Sequence, residues 1–264
     1  MSDMPVILKT EHLGISFGGL KAVEDFNIEI REGELVGLIG PNGAGKTTVF
    51  NLLTGVYAPT TGDITLMGKN INSKNTHQTV AAGIARTFQN IRLFKAMSVL
   101  DNVKIAFTKD VKYNMFDALL RTPRFWKTEE DLTEKALECL RIVHLESKAE
   151  FAASSLPYGE QRKLEIARAL ATDMKLLLLD EPAAGMNPTE TAELLTCINS
   201  IRQKYGIAIL LIEHDMSLVM KICERIQVIN FGVTIAHGYP DEIANDPVVI
   251  EAYLGEEADE DAEN

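Results

Sequence analysis

ELVGLIGPNGAGKTTVFNLL, residues 34–53, decides the fold. It opens as an apolar run ending in glycine and closes with helical spacing. Between the two, Gly40, Pro41, Asn42, Gly43, Ala44, Gly45, Lys46 and Thr47 satisfy GxxxxGK[ST] at every position. Strand, glycine-rich loop and helix form the context in which that spacing has a mechanism. Glycines let successive backbone N–H groups converge on an anion, and the positive end of the following helix adds to the attraction. Lys46 offers a point charge to β- and γ-phosphates, Thr47 a hydroxyl to Mg²⁺, and Thr48 a second hydroxyl toward the α-phosphate. The alternative is a chance glycine-rich turn.

Further along, two continuous apolar runs, Leu176–Leu179 and Ile207–Ile212, have the character of strands buried on both faces of a parallel sheet. The first ends in Asp180-Glu181, two carboxylates at the strand end where α/β sheets bind ligands. Asp180 is placed for a Mg²⁺ shell and Glu181 for polarising an attacking water; a solvated strand end is the bland alternative. The second run ends in Glu213-His214-Asp215, which puts His214 on the same edge, either as a structural histidine or as a contact to the γ-phosphate.

Residues 6–30 alternate apolar and polar positions around a turn at Phe17-Gly18-Gly19, and Gly62–Leu66 reads as another short strand. From about 86 to 168 the pattern becomes helical, with Leu132, Ala136, Leu137, Leu140 and Val143 at 3/4 spacing. A further helix is expected around Pro188–Tyr205. The fold class is therefore α/β: a P-loop NTPase core of parallel sheet flanked by helices, with an N-terminal antiparallel β subdomain and an inserted helical subdomain. The expected layout is one domain over 6–255, its core about 6–86 and 169–240 and its helical subdomain about 87–168.

Composition narrows the function. The chain carries 26 Lys+Arg against 38 Asp+Glu, a net charge of −12. Glu256–Asn264 alone holds six carboxylates and no base, and reads as a solvated, disordered end. The mildly acidic body offers no basic footprint for nucleic acid. Cys139, Cys197 and Cys223 match no metal or CxxC spacing and read as buried apolar residues in a reducing compartment. The N-terminus lacks the form of a secretory signal, and no apolar run approaches the roughly 20 residues that span a bilayer. A cytoplasmic protein, linked to membranes only through partners, is expected.

Taken together, these residues resemble the nucleotide-binding subunit of an ABC transporter, over about residues 6–255. The resemblance makes Gly40–Thr48 the Walker A loop, Leu176–Glu181 the Walker B strand with its catalytic glutamate, and His214 the switch histidine. It makes Gln89, in Arg86-Thr-Phe-Gln89, the Q-loop residue that senses Mg²⁺ and the attacking water. Phe17 becomes the aromatic that stacks on adenine, with a turn-anchoring core phenylalanine as the alternative. The family signature LSGGQ corresponds to Leu156-Pro157-Tyr158-Gly159-Glu160-Gln161, facing the opposite subunit's ATP. Here Pro157 replaces a serine that would meet the γ-phosphate, and Tyr158 replaces a glycine. Asn187 stands where an aspartate is usual in the D-loop.

The strings RTFQNIRLF, LPYGEQRKLEIARAL, DEPAAGMNP and DPVVIEAYLGEE are similar to the LivG branch, one of two unlike ATPases in bacterial uptake systems for branched-chain amino acids. That resemblance implies ATP and Mg²⁺ as cofactors, two polytopic permeases, and a second ABC ATPase (or a second copy) in a head-to-tail dimer. It also implies a periplasmic or extracellular solute-binding protein, with the chain peripheral on the inner face of the membrane. The alternatives are the same motor on another cargo (urea, amides or an exported lipopolysaccharide) and a soluble non-transport ABC ATPase. A P-loop kinase or GTPase fits less well, since no NKxD-like guanine reader is present. The extension at about Phe107–Trp126 fits the branch's enlarged helical subdomain; its aromatic and leucine positions read as local core, with a partner surface as the alternative.

Overall fold

Alternation along residues 6–31 produces two long strands, β1 (Val6–Phe17) and β2 (Leu20–Arg31), which pair antiparallel with Phe17 opposite Leu20. The computed structural model describes residues 4–253, so the acidic stretch Glu256–Asn264 lies outside the described residues. In chain order there follow β3 (Leu35–Ile39), α1 (Lys46–Leu53), β4 (Thr61–Leu66), β5 (Lys69–Asn70), α2 (Thr76–Ala82) and β6 (Ile84–Arg86). Next come α3 (Val99–Lys104), α4 (Met115–Leu120), α5 (Pro123–Ile142), α6 (Tyr158–Leu170) and β7 (Leu176–Asp180). After these come α7 (Pro188–Tyr205), β8 (Ala208–Ile212), α8 (Met216–Ile222), β9 (Arg225–Asn230), β10 (Val233–Gly238) and α9 (Pro240–Ala244).

The chain forms two compact units. The first takes the chain up to Arg86, then Lys175–Pro182, and the chain from Arg202 onward; the second is Thr87–Met174 with Ala183–Ile201. In the first unit the antiparallel sheet runs β2-β1-β4-β5, and a six-stranded sheet runs β10-β9-β3-β8-β7-β6. All neighbours in the larger sheet are parallel except β10 with β9. β3, β7 and β8 are buried at every position, as strands covered on both faces must be. Val36, Leu38, Leu178, Leu210 and Ile212 share one core with Leu8, Leu13 and Phe26 of the smaller sheet and with Val49, Phe50 and Leu53 of α1.

The strands β6, β9 and β10 are not among those read from sequence. β6 has only three residues, and Arg225 and Gln227 interrupt the apolar run of β9. Gln227 is nevertheless buried, because its amide donates to the Asn27 carbonyl and the Thr234 hydroxyl, each at 2.9 Å.

In the second unit, α5 starts at the Thr122 N-cap with Pro123 in its first turn and turns Leu132, Ala136 and Leu140 inward. Leu137 is only half-buried. Cys139, Cys197 and Cys223 are free and buried, and burial pushes their thiols up to about 11, about 11 and about 12. The reading of residues 107–126 as local core is corrected in part. Phe107 is buried and Phe125 half-buried, but Met115, Phe116, Leu119 and Leu120 of α4 all face solvent.

Candidate functional site

Because β3, β8 and β7 are parallel neighbours, their C-terminal ends lie on one edge of the sheet. That edge carries the loop 40–45 after β3, Glu181 after β7 and Glu213-His214 after β8. The sequence placed all three at strand ends; the structure adds that the His214 strand lies between the other two.

The loop needs its glycines for two separate reasons. At Gly40 a Cβ would fall 1.9 Å from the Ile229 carbonyl oxygen of β9, so no side chain fits. Gly45, the N-cap of α1, has φ +105 and would place a Cβ 2.9 Å from the Ala22 carbonyl. No side chain caps α1, and the start of a helix is where backbone N–H groups and the helix dipole favour an anion. The buried Lys46 ammonium donates to the carbonyls of Gly40 (2.6 Å) and Pro41 (2.7 Å). The same lysine is thereby held over the loop whose phosphates it would meet. Thr47 is exposed and Thr48 half-buried.

Glu181 adopts φ +47, a left-handed conformation that a side chain other than glycine takes at a cost on the order of 1 kcal/mol or more. Its N–H donates to the Ile212 carbonyl at 2.9 Å, and its Oε1 lies 2.5 Å from His214 Nε2. Carboxylate and imidazole, 33 positions apart in sequence, thus form one unit able to hold and pass a proton. The next residue, Asp215, caps α8. The Ser217 hydroxyl and the Leu218 and Ser217 N–H groups hold the Asp215 carboxyl below the usual carboxylate range.

Asp180 is buried, and its Oδ2 accepts from Arg86 Nη2 at 2.6 Å. Arg86 also donates to Asn51 Oδ1 at 2.8 Å, and its guanidinium sits 5.3 Å from the Phe50 ring centroid. Sequence reasoning missed Arg86, because its partner is 94 positions away; the available signal was a lone basic residue ending a strand. Arg86→Met is expected to cost about 3 kcal/mol, by leaving a buried carboxylate without its cation. Urea unfolding checks this, and an unchanged midpoint would refute it. Phe17, half-exposed, packs edge-on against Tyr57 at 5.2 Å between centroids, which adds a second aromatic that was not foreseen.

Gln89 and the signature-like segment belong to the second unit. Pro157 takes the N-cap position of α6 and provides no side-chain cap. Leu156 is buried, and its carbonyl accepts from Gln161 Nε2 at 2.8 Å; Glu160 pairs with Lys148 at 2.6 Å. Gly159 is buried against Glu190, and Tyr158 is exposed. Asn187 forms a reciprocal capping box with Glu190 (2.9 and 3.1 Å), so an asparagine serves locally as a helix cap there. Arg162 and Glu165 of α6, neither singled out from sequence, form a fully buried ion pair at 2.9 Å. The Arg162 guanidinium also donates to the carbonyls of Phe88 (2.6 Å) and Gln89 (2.7 Å). The Gln89 backbone is therefore fixed by the signature helix while its side chain remains exposed.

Comparison with known proteins places this geometry among relatives. The family described as "ABC transporter" matches residues 23–184, and the one described as "Branched-chain amino acid ATP-binding cassette transporter" matches residues 233–259. The chain is 48% identical over 250 residues to the high-affinity branched-chain amino acid transport ATP-binding protein LivG of Salmonella typhimurium, covering 95% of this chain and 98% of that one. It is 47% identical over 250 residues to the corresponding protein BraF of Pseudomonas aeruginosa, with the same coverage. A crystal structure of the ADP conformation of an ATP-binding cassette of an ABC transporter superposes with a TM-score of 0.83 at 32% identity, covering 95% of this chain and 99% of that one.

Proposed function

The chain belongs to the ABC transporter family of ATP-binding cassettes, and from that premise we propose that it drives uptake of branched-chain amino acids as one motor subunit of a bacterial importer. It is an ATPase. The observation that carries the mechanism is the single sheet edge shared by the phosphate loop, Asp180-Glu181 and His214. The cargo rests on a separate observation, the match of residues 233–259 to a branched-chain amino acid family.

In this reading Gly40–Lys46 hold the β- and γ-phosphates, Thr48 the α-phosphate, and Phe17 with Tyr57 the adenine. Thr47 and Asp180 fit Mg²⁺: one hydroxyl and one carboxylate are hard oxygen donors, few enough to leave room for phosphate oxygens and water. When bound, Mg²⁺ neutralises charge developing on the transferred phosphoryl group. Glu181 takes the proton of the attacking water, His214 orients the Glu181 carboxylate and meets the γ-phosphate, and Gln89 positions the water. Pro157 supplies neither a hydroxyl nor an N–H to the ATP of an opposing subunit, so the composite site it faces is the weaker of two.

No helix among the described residues is long and apolar enough to cross a membrane. Two permeases, a second ATPase and an external solute-binding protein complete the transporter in this proposal. Tagging the chain in its native cell and extracting membranes in mild detergent tests the assembly. Two polytopic permeases and a second ATPase with an intact LSGGQ are expected to co-purify. Recovery of exporter-type membrane subunits with copies of this chain alone would overturn the cargo and leave the ATPase standing.

A further inference from the structure

In a chain of net charge −12, residues 111–127 carry four cations, Lys112, Arg121, Arg124 and Lys127, against the single carboxylate of Asp117. All four cations are exposed. The same stretch holds α4, whose Met115, Phe116, Leu119 and Leu120 fall at i, i+1, i+4 and i+5 and so share one face. Those four side chains are between 72 and 83% exposed, and Trp126 is 56% exposed. A contiguous apolar patch of this kind marks an interaction surface.

Polar bonds hold that face outward. Asn114 and Asp117 form a reciprocal capping box at the start of α4 (2.9 and 3.2 Å), and the Thr122 hydroxyl donates to Asp117 at 3.0 Å. Arg121 closes the helix in the left-handed region at φ +47, and Pro123 starts α5 directly afterwards. The turn is thus specified by caps rather than by burial of its leucines and phenylalanine. Trp126 lies edge-on to Phe125 at 5.4 Å, with the Arg121 guanidinium 6.0 Å from its ring centroid.

We propose that α4 and Trp126 form a membrane-surface anchor that lies in the headgroup layer of an anionic bilayer. Exposed Phe, Leu and Trp accompanied by exposed Arg and Lys is the composition that sits at such an interface. The charge selects the occupant. Cytoplasmic loops of membrane proteins carry an excess of Lys and Arg, so a basic patch meets repulsion there and attraction from acidic phospholipid. Of the α5 carboxylates that share a pocket with Arg121 and Trp126, Glu129 is engaged by Lys104 (3.0 Å) and the Tyr113 hydroxyl (2.8 Å), while Glu130 and Glu134 lie one and two turns beyond Trp126. The inference goes beyond the proposed function, since it gives the chain a lipid contact of its own without permeases.

Trp126 is the single tryptophan of the sequence, so its emission reports this surface directly. With the purified full chain, vesicles of phosphatidylglycerol and phosphatidylethanolamine are expected to shift the emission to the blue, whereas pure phosphatidylcholine leaves it unchanged. Brominated acyl chains should quench it. Phe116→Ser with Leu120→Ser should abolish partitioning. Arg121→Ala with Arg124→Ala should weaken it about 25-fold, at roughly fivefold per cation. Both variants replace exposed side chains, and an unchanged circular dichroism melt shows that they fold. Absence of any response to anionic vesicles, or binding that survives Phe116→Ser with Leu120→Ser, overturns the proposal. Loss of permease co-extraction in these variants without any vesicle binding by the parent also overturns it, and makes α4 a protein-docking surface.

Discussion

Glu181→Gln is expected to lower ATP turnover about a thousandfold while leaving nucleotide affinity within about twofold of the parent, the pattern of a lost general base. The substitution keeps the shape of the side chain and its φ +47 backbone, and an amide still forms a hydrogen bond to His214 Nε2. Only the capacity to accept a proton disappears. Phosphate release measures the turnover, and equilibrium binding of a fluorescent ATP analogue measures affinity. With hydrolysis blocked, an ATP-bound dimer should accumulate on gel filtration. Undiminished turnover would remove Glu181 from the role of base. A loss of affinity equal to the loss of turnover would mean that the site had been distorted rather than disarmed.

The parts of this site legible in sequence are those that are contiguous. The phosphate loop is eight consecutive residues whose chemistry depends on backbone direction, so its spacing survives as a pattern. Asp180-Glu181 and His214 were legible because each ends an apolar run, and a parallel sheet collects such ends on one edge. The order of the strands was not legible, since nothing in the local pattern says that β8 separates β3 from β7. Pairings across long separations were also hidden. Arg86 with Asp180, and Arg162 with the carbonyls of Phe88 and Gln89, join residues 73 or more positions apart. Their side chains look like ordinary surface charges until the fold closes around them. The α4 segment fails in the opposite direction. Four large apolar residues at helical spacing read as core, and the capping bonds that turn them outward are visible only as geometry.

Arg162 provides the sharpest separation of stability from mechanism. Arg162→Met is expected to cost about 3 kcal/mol, since it takes the nearest cation from the buried Glu165 carboxylate, which keeps the Arg92 N–H at 3.3 Å, and removes the guanidinium donor from the Phe88 and Gln89 carbonyls. Arg168 lies 3.9 Å from Glu165, beyond hydrogen-bond distance, and offers it only a weaker ion pair. Urea unfolding of the full chain measures the loss. Pairing the change with Glu165→Leu removes the buried charge left behind, and replacing a buried ion pair by apolar side chains is often neutral for stability. The double variant should therefore recover most of the unfolding free energy. Its ATP turnover should remain well below that of the parent, because the Gln89 carbonyl has then lost the Arg162 guanidinium of α6. Recovery of turnover together with stability would make the pair a purely structural element. Recovery of stability alone identifies Arg162 as a positioning residue through which the signature helix governs the proposed water-sensing glutamine.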